Sequence, residues 1–330
     1  MKILCYIDSL GAGGAQRQLV NVASGLKGRG HHVEVLTYYP SSDFRGRLDA
    51  AEVPYRCEEK RSRWSPMPVV HLWRKVADAS FAAVIAYLET PAVYAELASF
   101  AARKFALVVS ERSTVPVGGM RLQRRLKSQL HRRADAVVSN SYSQTEWLRL
   151  RFPYLAHKLH TIPNGVDTRI FSPAAATTPN RAVTLRLLGV GRIAPPKNLP
   201  MLARALSACL RCGTRVSLDW AGRVEDAREY EDTRATMAAA GAEEHWRWLG
   251  ERADIPELMR RYDALVLASS HEGLPNVICE AFASGLPVLA SRVSDNERLL
   301  GRNERGLLFH PGDPEDIARA ISVFAGLAEP

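Results

Sequence analysis

Lys2-Ile3-Leu4-Cys5-Tyr6-Ile7-Asp8, followed by Gly11-Ala12-Gly13-Gly14 and a helical-period stretch over 15–28, is the passage that decides the fold. Ile3–Ile7 is apolar without alternation, which reads as a strand buried on both faces. The glycines then let the chain turn tightly into a helix whose free N–H groups point back over the strand end. The same rhythm continues with Val33–Tyr38, with Ala83–Tyr87 and 91–103, with Ala106–Ser110 and 120–133, and with Ala136–Ser139. Short strands alternating with helices indicate βαβ units and a parallel sheet.

Residues 172–180, Ser-Pro-Ala-Ala-Ala-Thr-Thr-Pro-Asn, interrupt the pattern with the composition of an exposed linker. It restarts with Leu185–Gly191, a helix from about 198, Arg215–Trp220, a helix from 226 and Trp246–Leu249. A helix over 254–262, Ala264–Ala268, a helix from 276 and Pro287–Ala290 complete it. The expected architecture is α/β, with two Rossmann-like doubly wound domains over 1–167 and 183–330 joined by a linker at 168–182. Two cores of their own imply a cleft between them, the default place for a ligand.

With 46% hydrophobic and 24% charged residues the composition is globular, but the charge is uneven. Residues 1–165 hold 24 Lys and Arg against 13 Asp and Glu, and the remainder holds 20 against 22. A basic half suits a phosphate-bearing substrate, an anionic membrane or nucleic acid. No helix-turn-helix, RNP or zinc-finger signature is present, which argues against nucleic acid. Cys5, Cys57, Cys209, Cys212 and Cys279 are too scattered for a disulfide framework, and Cys209-x-x-Cys212 has no second pair for zinc. That usage fits a reducing, cytoplasmic compartment. The first apolar run is too short for a signal peptide and lacks a small-residue cleavage site. The most apolar later stretch, 81–109, is broken by Glu89, Pro91, Glu96, Arg103 and Lys104, so no membrane span is expected.

The glycine loop Gly11–Gly14 suits either a phosphate or a merely tight turn. A nicotinamide enzyme would carry an acid at the end of the second strand, whereas Glu34 lies inside it. Arg192 and Lys197 flank Ile193-Ala194-Pro195-Pro196 just after a strand, at the carboxyl edge where open α/β sheets bind ligands. Two cations there repel in an empty site and pair with a diphosphate, unless both are simply solvated. In His271-Glu272-Gly273-Leu274-Pro275-Asn276-Val277-Ile278-Cys279-Glu280-Ala281, two carboxylates stand eight residues apart across a loop-to-helix junction. Asn276 is expected to cap the helix, Gly273 allows close backbone approach, and the first turn offers N–H groups to an anion. Glu280, one turn inside, can face a hydroxyl pair beside that anion; alternatively both acids only stabilise the first turn. Residues 121–133 hold six Lys/Arg and no acid, with Leu122, Leu126 and Leu130 on one stripe. Such a basic helix either packs its leucines on the first sheet or rests on anionic lipid.

With these residues in hand, the chain resembles the retaining GT-B glycosyltransferases of family 4, glycosyl transferases group 1, along nearly its whole length. The resemblance is carried by Gly13-Gly14-Ala15-Gln16-Arg17 with Gly28-Arg29-Gly30-His31-His32-Val33, then by Ser139-Asn140-Ser141 and Ile162-Pro163-Asn164-Gly165-Val166-Asp167. Gly191-Arg192 with Pro196-Lys197-Asn198, and Glu272 with Glu280 in the family's E-x7-E spacing, complete the set. It implies a nucleotide-sugar donor as co-substrate and no cofactor. Arg192 and Lys197 would bind the donor diphosphate beside the backbone N–H groups of Asn276 and Val277, in the loop that holds Gly273 and Leu274. Glu280 would hold the ribose and Glu272 the transferred sugar, so that Glu272, Arg192 and Lys197 form the catalytic set. Gly13 and Gly14 would close on the phosphates from the first domain. Glu111 and Arg112, just past a strand end, would be acceptor or sugar contacts, where many relatives carry a His.

No D-x-D stands in the chain, so no metal is expected. The resemblance implies front-face attack with the diphosphate taking the acceptor's proton, which requires no protein base. The Glu-Gly-Leu-Pro-Asn-Val form and Ser294-Asp295-Asn296 are similar to bacterial polysaccharide-assembly members, which often use UDP-sugars. The acceptor would be a glycan or lipid-linked glycan. A sugar-nucleotide 2-epimerase of the same architecture is expected to carry other catalytic acids, and a non-catalytic nucleotide-sugar-binding protein would bind without turnover. Family members continue past a helix at 313–325 with another that crosses back onto the first domain. This sequence stops at Pro330, which bears on domain closure.

Overall fold

The structure, a computed structural model, describes residues 1–62, 64–101, 103–112, 128–174, 184–301 and 306–328. It divides into two compact units, Met1–Gly165 and Val166–Pro330.

The first unit is built on seven parallel strands: β1 (Lys2–Tyr6), β2 (His32–Thr37), β3 (Tyr55–Cys57), β4 (Ala83–Tyr87), β5 (Ala106–Glu111), β6 (Ala136–Ser139) and β7 (Leu159–Thr161). Their order is β3-β2-β1-β4-β5-β6-β7, so the chain works outward from β1 to β3 and then returns to place β4 on the other side of β1. Ile3 pairs with Val33 on one side and Ala83 on the other. The unbroken apolar run of β1 is explained by its two faces. Leu4 and Tyr6 enter a core with Leu36, Leu72, Val84 and Leu107, while Cys5 and Ile7 enter another with Leu19, Val20, Val33 and Val35. Burial pushes the Cys5 thiol up to about 12, so it is an inert core group. The reversal of direction between β1 and β4 opens a ligand crevice at their carboxyl ends.

The second unit repeats the plan with β8 (Leu185–Val190), β9 (Val216–Ala221), β10 (Trp246–Gly250), β11 (Ala264–Leu267), β12 (Val288–Ser291) and β13 (Gly306–Phe309). The order β10-β9-β8-β11-β12-β13 puts the reversal between β8 and β11. Leu185 and Leu187 pack with Leu202, Leu206 and Ile321 on one face, and Leu188 packs with Leu265, Ile278 and Leu289's neighbour Val288 on the other. The helices Leu199–Arg211 and Pro314–Ala328 thus cover the first face and Asn276–Ala283 the second. Among the described residues no helix is long and apolar enough to cross a membrane.

Several elements depart from the sequence reading. β3, β7 and β13 are three or four residues long, too short to show a period. The helix expected over 91–103 runs over Glu89–Ala98, and the one expected over 254–262 is Ile255–Met259. Residues 168–174 are not a free linker: Phe171, only 9% exposed, packs in the core of the second unit, and residues 175–183 lie outside the described set. Leu122, Arg124, Arg125, Leu126 and Lys127 of the basic stretch also lie outside it. Residues 128–133 are the described end of that stretch. Residues 131–133 form a 3-10 turn, His131 faces inward, and Arg132 and Arg133 lie over the rings of Tyr154 and Phe100, each at 4.4 Å.

Candidate functional site

In the second unit the loops after β8 and β9 are pressed together, and glycine makes this possible. A Cβ on Gly222 would lie 1.8 Å from the Gly191 carbonyl oxygen, and one on Gly189 would lie 2.1 Å from the Trp220 ring. The Trp220 indole donates to the Gly191 carbonyl at 2.8 Å, fixing the backbone one residue before Arg192. Ile193 then bridges to Val224, and its carbonyl accepts from the N–H groups of Glu225 and Asp226. This brings the Arg192 guanidinium onto the Glu225 carboxylate, a partner invisible in the sequence; Arg223 approaches the same carboxylate at 3.9 Å. Arg192 is 57% exposed, so this pair is weak and is readily exchanged for another anion.

After the turn Pro195–Lys197, Asn198 adopts a left-handed conformation at φ 59°. Its side chain donates to the carbonyls of Ala268 and Pro311, tying the loop to the end of β11. Lys197 consequently reaches Glu272, with Nζ 2.6 Å from Oε1, and Ser269 donates to the same oxygen at 2.7 Å. Ser294 donates to the Glu272 carbonyl, so the carboxylate is held at both side chain and backbone. The structure therefore brings Lys197 and Glu272 into contact across 75 residues of sequence. No sequence signal marks Ser269, and Ser294, quoted above with Asp295 and Asn296, carried no expected contact to Glu272.

The helix Asn276–Ala283 begins with Pro275 at the N-cap position, and no side-chain hydrogen bond caps it. Asn276 is thus the first helical residue rather than the cap, a correction that follows from the extended Pro275 backbone. Leu274 and Val277 are buried, so what they present toward the loop is backbone. A methyl group on Gly273 would meet nothing within 4 Å, which leaves that side open. Glu280, one turn into the helix, is buried. Burial, helped by the Glu280 charge, pushes its neighbour Cys279 up to about 11.

In the first unit Gly13 is the N-cap of the helix Gly14–Gly28, and no acid occupies the first turn. Gln16 in that turn donates to Asp8 at 3.1 Å, which folds the loop after β1 back on itself. Glu111 closes β5 and is 4% exposed; it faces inward, where His131 donates to it at 3.2 Å. The other ring nitrogen of His131 lies 2.6 Å from the wholly buried Glu96. Burial alone would neutralise the imidazole, but hydrogen bonds and charge from Glu111 and Glu96 outweigh it and push His131 up to about 10. Burial likewise holds the Glu96 carboxyl above its ordinary value, against the His131 hydrogen bond. Arg112 donates to Ser110 and Asn164 and lies over the Tyr87 ring at 4.6 Å. Glu111 and Arg112, adjacent in sequence, are thus separated in role: one is anchored in the core and the other lies along the sheet edge.

Two Rossmann-like units of this topology define the GT-B architecture. A crystal structure of Anabaena HepE in complex with UDP and glucose shares this fold, with a TM-score of 0.85 at 23% identity over 99% of this chain and 92% of that one. Two family models match, Glycosyltransferase Family 4 over residues 12–170 and Glycosyl transferases group 1 over residues 184–325. The chain belongs to the family 4, group 1 glycosyltransferases. Its relatives include the lipopolysaccharide core biosynthesis mannosyltransferase LpcC of Rhizobium leguminosarum, 30% identical over 61% of this chain and 56% of that protein. The GDP-mannose:cellobiosyl-diphosphopolyprenol alpha-mannosyltransferase of Komagataeibacter xylinus is 28% identical over 56% of this chain and 47% of that protein. The chain spans about half the length of these relatives.

Proposed function

We propose that this protein is a retaining, metal-independent glycosyltransferase that moves a sugar from a nucleoside-diphosphate sugar to a glycan or lipid-linked glycan in bacterial surface polysaccharide assembly. The observation that carries this reading is the Lys197–Glu272 contact at the carboxyl edge of β8 and β11, beside the start of the helix Asn276–Ala283. Each cation rests on a carboxylate, Arg192 on Glu225 and Lys197 on Glu272. A donor diphosphate takes both cations, and the N–H groups at Asn276 and Val277 add dipolar stabilisation where charge develops on the leaving group. Glu272, released from Lys197 but still held by Ser269, turns to the sugar, and Glu280 takes the ribose. The acceptor hydroxyl then attacks the anomeric carbon on the face the diphosphate leaves. One C–O bond forms as the other breaks, and the proton passes to a phosphate oxygen of the leaving group.

The sequence form of the 272–280 segment favours a UDP-sugar. The Komagataeibacter relative's GDP-mannose supports a second reading in which the base is guanine. Its diphosphopolyprenol acceptor also supports a lipid-linked acceptor here, reached from the cytoplasmic face of a membrane through the basic stretch 121–133. A thermal-shift panel of UDP, GDP and ADP tests the donor, since a bound ligand stabilises the fold by mass action. Stabilisation by UDP or GDP, lost in Lys197→Ala, is expected. No shift with any nucleoside diphosphate would refute the assignment.

A further inference from the structure

Some cations in the first unit are paired with acids: Lys2 and Lys75 with Glu34, Arg103 with Asp135, and Arg149 with Glu146. Two cations at the carboxyl edge of its sheet are not. Lys60 lies just past β3, with Nζ 2.8 Å from the Tyr94 hydroxyl and 5.4 and 5.9 Å from the ring centroids of Tyr94 and Tyr38. Arg112, just past β5, has the Tyr87 ring, Ser110 and Asn164 as partners. Among the described residues neither meets a carboxylate. Nearby acids are engaged elsewhere, Glu58 with Arg56 and His71, and Asp8 with Gln16 and the Ser9 N–H.

The setting of Lys60 is built rather than incidental. Its N–H donates to the Tyr38 carbonyl, and the N–H groups of Tyr38 and Tyr39 both donate to the Asp8 carbonyl at the end of β1. The Tyr38 and Tyr39 rings lie 4.8 Å apart, and Tyr94, on the helix after β4, meets Tyr38 edge-on at 5.5 Å. Tyr38 is buried, whereas Tyr39 is 42% exposed. The segments after β1, β2, β3 and β4 thus converge at the reversal point, and they present ring surface beside a lysine that meets no carboxylate among the described residues.

We propose that Lys60 binds the phosphate of a phosphate-bearing sugar acceptor, and that Tyr39 and Tyr94 take the apolar face of its sugar. This rests on the reading of the chain as a glycosyltransferase, and it assigns the acceptor's chemical class and the residues that select it. A cation stripped of part of its hydration by aromatic rings, with donors still unfilled, gains from a phosphate what a paired lysine would not. A neutral glycan gives those donors nothing to neutralise.

The test is calorimetric titration of the full chain with α-D-glucose 1-phosphate, with glucose, and with a farnesyl-diphosphate-linked glucose, all under saturating nucleoside diphosphate so that the donor site is filled. The variants are Lys60→Met, which keeps the stem on the rings, Lys60→Arg, which keeps the charge, and Tyr39→Ala at an exposed position. Binding of either phosphorylated ligand but not glucose is expected, weakened at least tenfold in Lys60→Met, partly restored in Lys60→Arg and weakened in Tyr39→Ala. Nucleoside diphosphate affinity and Tm should stay at wild-type values. Binding of the prenyl-linked sugar alone identifies a lipid source for the phosphate, and equal binding of both shows that the sugar phosphate suffices. Equal affinities in wild type and Lys60→Met, or no binding of either phosphorylated ligand while nucleoside diphosphate still binds, would overturn the proposal and leave the donor reading intact. Failure of nucleoside diphosphate to bind would strike the donor reading instead.

Discussion

Replacing His131 with alanine removes a cation from between two buried carboxylates, Glu96 and Glu111. Breaking a buried ion pair by deleting one partner costs about 3–5 kcal/mol, because the remaining charge has lost both water and counterion. A domain of this size loses about 2–4 °C of Tm per kcal/mol, so the transition of the first unit should fall by roughly 6–20 °C. The effect has a definite pH signature. The folded-state pKa of His131 is raised from 6.5 to about 10, so its stabilisation is fully present below pH 6.5 and is lost as pH rises through about 10. The gap between wild type and His131→Ala should therefore be wide at pH 6.5 and narrow at pH 10. Differential scanning calorimetry at both values resolves it, with the second unit's transition as internal control. A loss of under about 2 °C at pH 6.5, or an equal loss at both pH values, would refute the buried imidazolium.

Lys197→Ala and Glu280→Ala should each weaken nucleoside diphosphate binding about ten- to a hundredfold, the worth of a charge-assisted contact, and wild-type affinity in both would remove their assignment. Gly222→Ala forces the loops after β8 and β9 apart, since its Cβ would sit 1.8 Å from the Gly191 oxygen. Lower Tm and weaker nucleotide binding are expected, and no change in either would mean the loops do not meet as described. Transfer should continue in EDTA, because cations and a helix N-terminus stand where other enzymes place a metal; complete loss reversed by Mg²⁺ contradicts this. Changing Arg124, Arg125 and Lys127 to Glu should reduce co-sedimentation with anionic liposomes, each cation contributing about 1 kcal/mol at such a surface. Equal sedimentation of wild type on neutral and anionic vesicles would point to a soluble acceptor.

Doubly buried strands such as Ile3–Ile7 were legible because both faces must be apolar, and the cations and acids at strand ends were legible by residue type. What joins them was not. Lys197 meets Glu272 from 75 residues away and Arg192 meets Glu225 from 33, distances set by sheet order rather than by local pattern. Asn276 looked like a cap because it precedes an apolar helical run, yet the extended Pro275 takes that position. No sequence pattern marks His131; its burial depends on Glu96 from another helix and Glu111 from a strand. β3 and β7 escaped because three residues carry no period.

The central claim is sugar transfer from a nucleoside diphosphate bound at Lys197, Glu272 and Glu280. Release of free nucleoside diphosphate from UDP- and GDP-sugars, measured with and without a bacterial envelope lipid extract as acceptor source, tests it most directly. The account predicts release from one donor that rises with the extract, persists in EDTA and disappears in Lys197→Ala. Tight donor binding with no release under any of these conditions, or recovery of the sugar nucleotide epimerised at C2, would contradict it.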